Sequence, residues 1–202
     1  MQEKTGIQIT GWIKIFDPIT NQVFVNKKNA IHYENFSISI AETMINQDSS
    51  WVDSMSFGNG GTTVSTDGVI TYLTPNTVGT NAQLYNETYN KVVNGNSVLN
   101  HDPNRNNLEI RHVSGTTYTD FLVTCLLDYT EPDGQEASDT SNSHGNFVFD
   151  EIGLKSYSSI GDGRLLTHVM FHPVQKSLNR LIEIDYTVRI NCLVPETALG
   201  SM

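Results

Sequence analysis

Leu181–Ile190 reads LIEIDYTVRI: Ile182, Ile184, Tyr186, Val188 and Ile190 alternate with Glu183, Asp185, Thr187 and Arg189. A period of two puts the first set on one face of a strand and the second on the other. The apolar row is a core row. The charged row is an outer surface, and Glu183, Asp185 and Arg189 on it are candidate subunit contacts.

Upstream, the same grammar recurs. Residues 7–25 (IQITGWIKIFDPITNQVFV) predict a hairpin turning at Asp17-Pro18. Tyr118–Tyr129, Asn146–Ser156 (with a break near Gly153), Arg164–Val174 and Leu178–Leu193 predict further strands, the last two joined by a turn at Pro173–Ser177. Residues 30–46 (AIHYENFSISIAETMIN) predict the one helix. Asn29 is a possible N-cap there, and Tyr33, Phe36, Ile40 and Met44 form an apolar stripe. A strand at Phe36–Ile40 is the competing reading. Residues 51–57 alternate and run into Gly58-Asn59-Gly60-Gly61. That corner lacks the GKS or GKT ending of a phosphate loop, so a tight turn at positive φ is expected.

From about residue 59 to 116 the chain is polar, with short strands expected at Val69–Tyr72, Tyr89–Val93 and Leu108–Val113. A loop-rich stretch of that length is usually functional or reaches a neighbour. Residues 131–146 form an acidic loop. Together these patterns predict one mainly β domain over 1–202: a β-sandwich or jelly-roll-like fold with one helix, long loops and an insertion at about 59–116.

Composition agrees. The 202 residues are 38% hydrophobic and only 17% charged, with 15 glycines, which suits strands and loops. Twenty-two acidic against twelve basic residues give a net charge of −10, which repels phosphate and argues against nucleic acid and anionic membranes as partners. No apolar run approaches the roughly 20 residues that span a bilayer, and the N-terminus has no signal-peptide pattern, so a soluble cytoplasmic product is expected. Cys125 and Cys192 sit in strand patterns, where small buried hydrophobes are expected.

Chemistry is harder to find. His168 and His172 are four apart, but on a strand that separates them by about 13 Å, too far for one metal ion. The acidic loop lacks the spacing of a calcium loop. Asp150 and Glu151 are adjacent, and neighbouring strand residues point to opposite faces. No GxSxG is present, and Trp12 and Trp51 fall where core burial is expected over sugar stacking. The residues therefore offer no catalytic, cofactor or metal site.

Several segments carry a resemblance: VNKKNAIHYENFSISIAETM, MSFGNGGT, LYNETYNKVV, FVFDEIGLKS and LLTHVMFHPVQKSLNRLIEIDYTVRI. In style and order they resemble structural proteins of tailed-bacteriophage virions. The resemblance implies a non-enzymatic virion component of the head-to-tail neck or tail. A capsid decoration (cement) protein and a carbohydrate- or receptor-binding sandwich are the alternatives. It also implies homo-oligomeric assembly with other virion proteins inside the bacterial host cytoplasm, and no cofactor.

Overall fold

The computed structural model describes residues 6–47, 50–132, 146–159 and 162–193. Two five-stranded antiparallel sheets form a β-sandwich. The first is ordered β2 (Val23–Lys28), β1 (Gly6–Phe16), β12 (Ile182–Leu193), β9 (Tyr118–Leu127) and β8 (Asn107–His112). The second is ordered β3 (Ala30–Ile31), β11 (Thr167–Ser177), β10 (Asn146–Ser156), β4 (Val52–Gly58) and β7 (Glu87–Val92). The short hairpin β5 (Thr62–Val64) and β6 (Ile70–Tyr72) forms a two-stranded sheet of its own beside β11.

The opening stretch becomes the central strand β12, paired along its length with β1 and β9. Ile182, Ile184, Tyr186 and Val188 are buried, facing Met55, Phe57, Phe149 and Val169 of the other sheet within one core. Burying such side chains contributes about 1.5–3 kcal/mol each before entropy is subtracted.

The helix α1 spans Tyr33–Met44, and its N-cap is His32, not Asn29. The His32 ring Nδ1 accepts from the Asn35 N–H, doing what an Asn side chain would. Asn29 is used elsewhere, donating to the buried Tyr186 hydroxyl. The expected apolar stripe is only half right: Phe36 is buried and Ile40 packs on the core, but Tyr33 and Met44 are exposed.

Three other expectations change. Both tryptophans are partly exposed: Trp12 (38%) lies beside Lys28, and Trp51 (46%) stacks on Tyr157. Strand β11 runs straight through Pro173, because a register shift opposite Phe149–Glu151 leaves a position that needs no ladder N–H. Glycines 58, 60 and 61 are not at positive φ; they allow close approach instead. A Cβ on Gly58 would sit 2.5 Å from the Asn86 carbonyl and from Glu151. The acidic segment lies almost wholly outside the described residues, apart from Glu131, Pro132 and Asn146, the last being the first residue of β10.

Within the stretch at 59–116, β7 and β8 become edge strands of the two sheets. Residues 59–86 form an arm tied to the second sheet by hydrogen bonds. The first sheet's outer face keeps a polar ladder running Asn26, Lys14, Asp185, Thr124, Asn107 across all five strands.

Candidate functional site

A buried carboxylate–imidazole pair is the first place to look for chemistry. His168 Nε2 lies 2.9 Å from Glu151 Oε2, and both side chains are fully buried. His168 Nδ1 accepts the Asn76 N–H at 2.9 Å, so the ring proton is on Nε2 and is donated to the carboxylate. Glu151 also accepts the backbone N–H groups of Gly60, Tyr85 and Asn86. Burial pushes its carboxyl up, but the His168 bond and those amides outweigh burial and hold it below the usual value.

Asp150, next along the strand, accepts from the Gly61 N–H and the Thr62 hydroxyl. The two adjacent carboxylates were expected on opposite faces. The register shift between Phe149 and Glu151 lets both reach Gly60–Thr62.

Four donors on one carboxylate leave it no capacity for a substrate. The pair is a tie that fixes the arm, and His32 makes a second tie by donating from Nε2 to the Gly79 carbonyl at 3.0 Å. His172, the other member of the HxxxH pattern, is exposed, and among the described residues no group of three or more His, Cys, Asp or Glu could hold a metal.

The outer row of β12 divides. Arg189 forms a two-pronged pair with Asp120 at 2.7 and 2.8 Å and lies 3.9 Å over the Tyr118 ring. Glu183 and Asp185 do not join it. They line a hollow of about 450 Å3 on the first sheet's outer face, with Trp12, Lys14, Asn26 and Arg111.

Burial raises both carboxyls, and Asp185 adds to the rise at Glu183. A carboxyl raised in the fold contributes most at low pH, and that contribution falls as pH climbs through the ordinary carboxylate value to the folded one. Glu151 has the opposite sign, so its contribution is lost only as pH falls below the ordinary range. The double variant Glu183→Gln/Asp185→Asn is therefore expected to melt higher than the parent at neutral pH. The gain should vanish as pH is lowered past the usual carboxylate values, as thermal melts across pH would show.

A larger concavity than this hollow lies elsewhere. An apolar groove of about 950 Å3 opens between α1 and the β8 edge, lined by Phe36, Ile40, Leu108, Ile110, Phe121 and Ile190. Ile190, expected in the core row, is only partly buried here. Met44 (81%), Val98 (92%) and Ile110 (77%) stand exposed around it. Exposed apolar side chains gathered on one groove mark an interaction surface more often than a solvated face.

Sequence reading missed this groove because its lining comes from eight separate segments. The signal that could have found it is the apolar pair Val98-Leu99 set in a polar loop.

Of the cysteines, Cys125 is buried, with its thiol pushed up to about 12 by burial; Cys192 is exposed, contrary to expectation.

Among protein-family models, curated proteins and solved structures, none matches this chain.

Proposed function

We propose that the chain is a non-enzymatic structural protein that works by protein–protein contact, as a component of a tailed-bacteriophage virion at the neck or tail. The observation that carries the contact reading is the placement of apolar surface: large hydrophobic side chains stand exposed around one groove beside an open sheet edge. The fully buried Glu151–His168 pair is meanwhile spent on holding the arm. The virion setting rests on the resemblance of segment style and order.

The test is mass spectrometry and cryo-EM of purified particles from cells that carry the gene. The chain is expected in symmetric multiple copies in the particle. Its absence from particles would overturn the virion reading.

One feature favours a second reading, a carbohydrate-binding sandwich. The partly exposed Trp12 indole borders the hollow that holds Asn26, Glu183 and Asp185, a combination of ring and acceptors that suits a sugar. Tryptophan fluorescence during titration with a glycan panel would change if it holds. A flat response removes it.

A further inference from the structure

The first sheet ends on β8, whose outer side pairs with no strand among the described residues. Unpaired strand edges are templates for another strand, and proteins that avoid such pairing place like charges or short strands there. The four edges of this sandwich differ in that respect. Strand β3 is two residues long. Strand β2 ends in Lys27-Lys28 with no acidic residue on the strand to answer them, the edge lysines by which proteins discourage pairing. Strand β7 carries Glu87 and Lys91, but these are already paired with Lys155 and Glu131, and Lys155 and Lys91 are largely buried.

Strand β8 reads NLEIRH. Glu109 and Arg111 pair with each other at 2.9 Å but, unlike Lys91 and Lys155, both stay more than half exposed, at 54% and 59% of their side chains; they lie on the outer face, opposite Leu122 and Asp120 in the β9 register. Between them Ile110, 77% exposed, points to the groove side.

We infer that β8 is a homodimer edge: a second copy of the chain lays its own β8 antiparallel against it, with the two-fold axis beside Ile110. In that register Glu109 faces the partner's Arg111, Arg111 faces the partner's Glu109, and Ile110 meets Ile110 of the partner subunit. The strand is self-complementary about that residue, as a two-fold interface requires. The outer face exchanges the Glu109–Arg111 pair within each strand for two cross-strand ion pairs, and the groove side gains apolar cover. The two sheets join into one of ten strands, and the partner's Ile110 reaches the mouth of the apolar groove. This deepens the contact reading and rests on it.

The charges supply the test. In analytical ultracentrifugation of the full chain, the parent is expected to dimerise. Glu109→Arg alone places arginine against arginine, and Arg111→Glu alone places glutamate against glutamate. Each is expected to raise the dimer Kd by about tenfold or more. Mixing the two variants restores opposite charges at both contacts, so a heterodimer is expected to return. An ion pair acting only within one chain could not produce that recovery.

Both positions are exposed, and circular dichroism melts close to the parent's would confirm that each variant folds. Ile110→Asp gives a second, charge-independent route to the same loss. A parent that stays monomeric at its solubility limit overturns the inference. So does an oligomer that neither charge variant weakens, which would place assembly on another surface and leave the contact reading standing.

Discussion

Glu151→Ala is expected to lower the unfolding free energy by about 3–5 kcal/mol, the cost of removing one partner from a buried charged network. The carboxylate accepts from His168 Nε2 and from the N–H groups of Gly60, Tyr85 and Asn86. Alanine would strand all four donors beneath the arm. Glu151→Gln does not repair this, because its amide group offers donors where donors already converge.

The loss should be uneven in space. Hydrogen exchange is expected to quicken across residues 59–86 before the sandwich core opens, since these bonds fasten the arm to the sheet. Urea denaturation gives the magnitude and exchange gives the location. A variant as stable as the parent, with the arm still protected, would refute the tie.

The second large effect is expected at Phe149→Ala, also about 3–5 kcal/mol. Phe149 is fully buried, edge-on to Phe57 at 5.4 Å and to Phe171 at 5.7 Å, and stacked on Phe147 at 5.5 Å. Removing the ring leaves a cavity that three other rings on three strands cannot close by small shifts. Here the loss should be global: exchange should quicken in both sheets together, and one denaturation midpoint should fall with the slope unchanged. An uneven response resembling that of Glu151→Ala would mean that the aromatic cluster is not the centre of the core.

The contrast between these two sites follows how legible each was. Phe147, Phe149, Ile152 and Leu154 lie on a segment visible as a strand from its residues alone. The register shift that puts Phe149 and Ile152 on the same face, three apart, was not visible. It exchanges faces mid-strand, and nothing in the residue types marks where. For the same reason Asp150 and Glu151 looked like carboxylates on opposite faces and prove to bond one segment. For His168, spacing showed only that it lies too far from His172 to share a metal; its actual partners, 17 and 92 positions away, were beyond any spacing argument.

Alternation by itself determined the sandwich. A run such as Ile182-Glu183-Ile184-Asp185-Tyr186 has one dry face wherever it is placed, because successive strand side chains must point to opposite sides. That fixed β12 as a core strand, and the recurrence of such runs fixed the fold class. Strand order, edge identity and the cover over each sheet are properties of pairing between distant segments, and local sequence carries no record of them. Only the tertiary structure decided that the arm ties down the second sheet, that Arg189 is paired with Asp120, and that β8 ends the first sheet. That last placement turns Glu109, Ile110 and Arg111, expected only as part of one short strand in a loop-rich stretch, into residues of an open sheet edge.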